Sequence, residues 1–200
     1  MRLFAQENLV SPPPNCNWRS IHFGFSSRDT RLISYTSAIA IVAVNLAGFA
    51  AFGATYLDDI RKLSNVLTVW GVVLFVAVCI AAYFAVHEFI HTLALPDHGM
   101  SDRTLVGISP WAVFVVYNGE IGRTAMMRCV AAPFFVLLPV CVCLAVEFPG
   151  VLCVNLIGLH LFACLGDFLL WLKLAKRVDI ESIWSVGSEV WIKSPQQHPG

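Results

Sequence analysis

The chain has 200 residues, of which 58% are hydrophobic and only 13% are charged. A soluble domain usually carries about a quarter charged residues, so this composition and the mean hydropathy of +0.72 indicate a polytopic membrane protein. The formal net charge is zero and the chain has no basic run, which excludes the usual signature of a nucleic-acid-binding protein. Most of the seven cysteines lie in apolar runs without paired spacing, and we interpret them as small apolar side chains.

Four apolar segments follow a polar beginning. Residues 1–33 contain a triple proline and scattered arginines, and we expect them to form a cytoplasmic N-terminal arm. We predict membrane spans at about 34–56, 66–95, 129–148 and 151–174, because each apolar segment is long enough to cross a bilayer. These spans form a four-helix domain of residues 34–177, and residues 178–200 form a cytoplasmic C-terminal tail.

The composition changes between the second and third spans. Residues 104–108 and 111–117 are rich in β-branched and aromatic residues, and Asn118-Gly119 is a strong signal for a tight turn. The sequence therefore predicts a short β-hairpin at this point in an otherwise mainly α-helical protein. Such a hairpin could bind an extended peptide by strand addition, or it could simply cap the helices.

The most informative motif lies near the end of the second span, where residues 87–91 read His-Glu-Phe-Ile-His. In an α-helix the four-residue step places His87 and His91 on one face a turn apart, so both imidazoles can bind one metal ion. Glu88 lies beside this face and could take a proton from a water molecule on the metal. Unpartnered ionisable groups in hydrocarbon cost on the order of several kcal/mol, which favours a functional role for the motif.

The distribution of positive charge orients the four spans. The arm carries four Lys or Arg residues, the loop after span one two, the segment after span two three, the loop after span three none, and the C-terminal segment four. Alternate segments lie on one side of the membrane, so the totals are eleven against two. The positive-inside rule then predicts a multi-pass protein of the cell (inner) membrane with both termini in the cytoplasm.

This orientation identifies a third candidate ligand. Asp167 lies seven residues before the predicted end of span four, and His87 and His91 lie eight and four residues before the predicted end of span two. At about 1.5 Å per residue, the three side chains are at a similar depth near the cytoplasmic face. Two histidines and a carboxylate, with a fourth position open to water, are the ligands of a catalytic zinc site. A salt bridge from Asp167 to Lys173 or Arg177 is the structural alternative.

Two other residues compete for the third ligand position. Asp97 lies six residues after His91, at the spacing of the third ligand in one class of zinc peptidases, but Pro96 interrupts that pattern. His160 lies two helical turns before Asp167 on nearly the same face, so it could be an alternative ligand or hydrogen-bond to the site. We rank Asp167 first and His160 second.

Together these features resemble the small bacterial membrane proteins grouped as putative zincin peptidases, and more distantly the site-2-type intramembrane metalloproteases. The resemblance covers roughly residues 72–192 and is carried by residues 87–91, the β-prone segment, Ala132-Pro133, Gly166-Asp167 and residues 187–191. It implies that His87, His91 and Asp167 bind Zn²⁺ and that Glu88 is the general base. The implied protein is a zinc-dependent metalloprotease that contacts the lipid bilayer and cleaves a peptide or membrane-protein substrate.

An alternative from another functional class is also open. The same residues could form a structural or transport metal site in a non-catalytic membrane protein. A Glu88→Gln variant separates the two hypotheses, because only the enzyme needs a base at this position.

The predicted orientation can be tested with topology reporters. A reporter fused after Gly200, or inserted into residues 1–30, should be active in the cytoplasm because these segments carry the positive charge. A reporter inserted into residues 57–64 should be active on the opposite side. The reverse pattern would contradict both the orientation and the comparison of depths that depends on it.

Overall fold

A computed structural model describes residues 2–3, 18–21, 27–66, 68–109, 112–148, 150–186 and 189–194. The long helices are α1 (Ser27–Val66), α2 (Val69–Ala94), α3 (Arg123–Glu147) and α4 (Val151–Lys176). The strands are β1 (Arg2–Leu3), β2 (Trp18–Ile21), β3 (Thr104–Ser109), β4 (Ala112–Tyr117), β5 (Glu120–Gly122), β6 (Ser182–Val186) and β7 (Glu189–Lys193). The triple proline of the arm, Trp111 and Gly187-Ser188 lie outside the described residues.

All four long helices contain a segment that is long and apolar enough to cross a membrane. These segments are Arg31–Thr55, Trp70–Ala94, Arg123–Glu147 and Val151–Lys176. The sequence predicts a mainly α-helical fold with four membrane-spanning helices and a short β-hairpin between spans two and three, and the mainly helical fold with four such helices is confirmed. Helix α3 begins at Arg123 rather than near residue 129, because its first turn packs Ala125, Met126 and Met127 against a buried core.

The chain divides into two compact units. The strand-rich unit contains residues 1–25, 88–132 and 167–200, and the helical unit contains residues 26–87 and 133–166. Helices α2, α3 and α4 each contribute residues to both units. His87 belongs to the helical unit and His91 to the strand-rich unit.

The strand-rich unit contains two small sheets. One has the strand order β1-β3-β4, and the other has the order β2-β7-β6-β5. Strands β3 and β4 pair antiparallel between α2 and α3, whereas the Asn118-Gly119 turn leads from β4 to β5 in the other sheet. Strands β6 and β7 form a second antiparallel pair, in the segment that the sequence analysis treats only as a tail.

A buried apolar core joins the sheets to the helix ends inside the strand-rich unit. Burial of each large aliphatic side chain stabilises the fold by about 1.5–3 kcal/mol. The core residues are Leu95, Tyr117, Ile121, Cys129, Leu174, Ile180, Ile183 and Ile192.

Arg123 ties the first turn of α3 to the last turn of α4. Its guanidinium donates hydrogen bonds to the carbonyl oxygens of Leu174 (3.0 Å) and Ala175 (3.1 Å). These carbonyls lie in the last turn of α4, where helical N–H donors run out, and a cation there also interacts favourably with the helix dipole. The contact fixes the end of the helix that carries Asp167.

Small and polar residues bring helices together inside the helical unit. A Cβ added at Gly48 would overlap the side chain of Val154, so α1 and α4 approach closely there. Beside it, the Asn45 amide donates a hydrogen bond of 3.1 Å to the Asn155 side-chain oxygen. Large apolar side chains on the outside of this unit are exposed, as expected of helices that face lipid; they include Leu46, Trp70, Leu74 and Phe135.

A left-handed turn follows α2 at Pro96–Gly99. Asp97, His98 and Gly99 have φ angles of 62°, 53° and 71°, a region that costs a residue with a side chain on the order of 1–3 kcal/mol. His98 Nδ1 and the Leu93 carbonyl oxygen are 2.9 Å apart, which offsets part of this cost. The turn ends α2 abruptly, just after the motif.

The turn depends on glycine at position 99. We expect Gly99→Ala to lower the free energy of unfolding by about 1–3 kcal/mol, because the residue has a positive φ and an added Cβ would overlap Thr92. Denaturant unfolding in detergent measures this change. Gly122→Ala is the control, since an added Cβ there meets no described atom within 4 Å, and equal stability of the two variants would contradict the prediction.

Candidate metal centre

Both histidines of the motif lie in the last two turns of α2, which is continuous from Val69 to Ala94. They are one turn apart on the same helix face, as the sequence predicts. His87 is buried and Glu88 is half-buried. The Thr92 hydroxyl donates a hydrogen bond of 2.9 Å to the Glu88 carbonyl oxygen, one helical turn back.

Within the strand-rich unit, His91 contacts Asp167. The distance from His91 Nε2 to Asp167 Oδ2 is 3.2 Å, and these side chains are 13% and 25% exposed. The two residues are predicted to lie at a similar depth, and in the structure their side chains are in contact. Neither side chain of the pair is fully buried.

A second hydrogen bond fixes the protonation of the His91 ring. His91 Nδ1 lies 2.9 Å from the carbonyl oxygen of Cys129, which can only accept a hydrogen bond, so Nδ1 carries the hydrogen. In the neutral ring, Nε2 then directs a lone pair towards the Asp167 carboxylate. Two acceptors at this distance need a proton or a metal cation between them. A histidine that binds a metal commonly donates its other N–H to a backbone carbonyl in this way.

The spacing of the pair also fits zinc. Zn–N distances of about 2.0–2.1 Å and Zn–O distances of about 2.0–2.2 Å, in tetrahedral geometry, place two ligand atoms about 3.4 Å apart. The observed 3.2 Å between His91 Nε2 and Asp167 Oδ2 is close to that value. Imidazole and carboxylate are ligand types that zinc accepts, so the residues present fit the ion.

Inside the helical unit, His87 belongs to a second group of metal-binding side chains. Its ligand atoms and those of His160 and Cys164 lie within 4.8 Å of one another, and all three residues are buried. His160 Nδ1 is 2.6 Å from the Tyr83 hydroxyl, and Phe134 stacks on its ring. His160 is therefore held in a buried polar contact near His87.

Three groups that contact the histidines are not among the residues predicted from the sequence: Tyr83, Cys164 and the carbonyl of Cys129. Tyr83 is one helical turn before His87, and Cys164 is one turn after His160, so helical spacing could have identified both. The cysteines were interpreted as small apolar side chains, which describes their burial but not the neighbours of Cys129 and Cys164.

The other residues considered from the sequence lie elsewhere. Asp97 is exposed in the left-handed turn, and in the part of the chain that the structure describes it belongs to no group of candidate metal ligands. Arg177, one of the two alternative partners predicted for Asp167, forms an ion pair with Asp179 at 2.8 Å. The Arg177 guanidinium lowers the pKa of the Asp179 carboxyl through this hydrogen bond.

These features define a mainly helical protein with four helices that can cross a membrane. Its candidate zinc ligands lie next to Glu88, the glutamate of the His-Glu-x-x-His (HExxH) motif. The chain belongs to the family described as "putative zincin peptidase", whose model matches residues 80–179. The matched range contains the motif, Cys129, His160 and Asp167. Membership implies zinc as the metal. No curated protein and no solved structure matches the chain.

Zinc affinity tests the role of Asp167. Purified protein should bind about one zinc ion, and Asp167→Asn should weaken its affinity at least 10-fold, because the amide keeps the shape but loses the charge that balances Zn²⁺. Competition with a chromogenic chelator measures the affinity. Asp179→Asn is the matched control and should bind zinc like the wild type.

Two further variants test whether the metal is bound instead by the buried group of His87, His160 and Cys164. His160→Ala should weaken zinc binding less than Asp167→Asn does, and Cys164→Ser should leave it unchanged. If these two variants lose zinc while Asp167→Asn retains it, the metal is bound by His87, His160 and Cys164.

Proposed function

We propose that the protein is a membrane-embedded zinc metallopeptidase that hydrolyses a peptide bond at or near the cytoplasmic membrane face. The observation that carries the proposal is the contact between His91 and Asp167. His91 Nε2, which carries a lone pair in the neutral ring, lies 3.2 Å from Asp167 Oδ2. His91 is the second histidine of the His-Glu-x-x-His motif on α2. Membership of the zincin family supports the same conclusion.

The proposed ligands are His87, His91 and Asp167. His87 precedes His91 by one turn of α2, and the short distance between His91 and Asp167 brings α4 to the motif. The proposed depth near the cytoplasmic face rests on the distribution of Lys and Arg residues. Eleven of them lie in the segments assigned to the cytoplasmic side, and two lie in the loop assigned to the opposite side. A peptide or a membrane-protein segment that reaches this face is the proposed substrate.

Each residue of the site has a defined task. Zinc held there supplies a Lewis acid that activates a water molecule and polarises the scissile carbonyl. Glu88 takes the proton of the attacking water and delivers it to the leaving amine. The Cys129 carbonyl keeps hydrogen on His91 Nδ1, so Nε2 remains a ligand, and Asp167 contributes the negative charge of the ligand set.

One observation favours the alternative of a non-catalytic metal site. His87, His160 and Cys164 are all buried, and nitrogen and sulfur ligands closed off from water are typical of structural zinc sites. A peptidase needs a metal position that water and substrate can reach. His91 and Asp167 are partly exposed rather than fully buried, and this difference favours the catalytic proposal.

The Glu88→Gln variant tests the enzyme. It should bind zinc like the wild type but reduce the cleavage rate by about 10²–10⁴-fold, because an amide cannot act as the base. Quantitative comparison of new protein N-termini in cells that produce either form measures cleavage. Glu181→Gln, which changes an exposed glutamate of the strand-rich unit, is the control. A Glu88→Gln protein with full cleavage would overturn the proposal.

A further inference from the structure

The acceptor that holds His91 is available because of a proline. In an α-helix the carbonyl of each residue accepts a hydrogen bond from the N–H four residues later. Four residues after Cys129 in α3 is Pro133, which has no N–H. The Cys129 carbonyl therefore lacks its intrahelical donor, and His91 Nδ1 donates to it at 2.9 Å.

We propose that Pro133 is a positioning residue of the metal site. By leaving the Cys129 carbonyl without its helical partner, it provides the acceptor that sets the tautomer and orientation of the His91 ring. This inference rests on the proposed zinc function and explains how one ligand is kept ready for the metal. Pro133 itself does not touch the metal or the substrate.

The α2 side of the contact is arranged in a similar way. Pro96 cannot donate to the Thr92 carbonyl, and the Leu95 N–H donates there instead, at 3.3 Å. The carbonyl of His91 lies in the last turn of α2. The Cys129 thiol donates to that His91 carbonyl at 3.4 Å. Two hydrogen bonds thus join His91 and Cys129. In each case a proline follows the residue whose carbonyl accepts the bond: Pro133 follows Cys129, and Pro96 follows His91.

The chemical consequence concerns the His91 ring. A strong hydrogen bond at Nδ1 excludes the tautomer with hydrogen on Nε2 and raises the basicity of Nε2 as a ligand. It also stops the ring from rotating about its side-chain bonds, so less conformational entropy is lost when the metal binds. Outer hydrogen bonds of this type typically contribute about 10–100-fold to metal affinity.

Two substitutions test the proposal. Pro133→Ala and Pro133→Val each restore an N–H that competes with His91 for the Cys129 carbonyl, and valine keeps most of the buried volume. We expect both to weaken zinc affinity about 10-fold, at the low end of the range, because a carbonyl oxygen can accept two hydrogen bonds. Affinity is measured by chelator competition on the full-length protein in detergent.

Two controls on the same helix separate this effect from a general loss of packing. Leu137→Ala removes a buried side chain without changing the backbone donors, and Pro139→Ala restores an N–H further along α3. Both should bind zinc within about 2-fold of the wild type. Equal weakening in Leu137→Ala and the Pro133 variants would overturn the proposal, since loss of packing would then account for the effect.

A spectroscopic measurement reports the hydrogen bond directly. In protein with ¹⁵N-labelled histidine, the His91 Nδ1–H proton should resonate far downfield in the wild type and move upfield in both Pro133 variants. Unchanged affinity together with an unchanged resonance would overturn the proposal. If the wild type binds no zinc, the proposed function fails, and the resonance in the zinc-free protein still decides whether Pro133 frees the carbonyl.

Discussion

Ionisable side chains in helices that can cross a membrane must have partners, because an isolated charge or polar group in hydrocarbon is costly. This constraint governs the arrangement around His91. Its two ring nitrogens have different partners, a backbone carbonyl and a carboxylate, and each partner comes from a different helix. The position of α3 and α4 next to the end of α2 follows from the same requirement.

The small sheets make this arrangement rigid. Their apolar core includes Cys129 and Leu174, so the helix segments that carry the partners of His91 are anchored in a packed unit. Arg123 adds a charged cap to the end of α4. A metal site of the kind proposed needs such support, since its ligands must be held close to the geometry that the ion requires.

The helices and the approach of Asp167 to the motif could be predicted from hydropathy, charge and helical rise, because these properties are local or additive along the chain. The sheet that joins β2, β5, β6 and β7 could not, because its short strands come from segments far apart in sequence. The role of the Cys129 carbonyl could not be predicted either, because every residue has a backbone carbonyl whatever its side chain. The sequence feature that relates to this carbonyl is Pro133, four residues later.

The contact of His91 with a main-chain oxygen has a consequence for how the sequence can vary. Replacing the side chain at position 129 leaves this oxygen in place, whereas replacing Pro133 changes the donor that competes for it. The side chain that determines whether this oxygen has a competing donor is thereby one helical turn away from the residue that carries the oxygen. A buried proline in the middle of an apolar helix can thus indicate the position of a proposed metal ligand on a different helix.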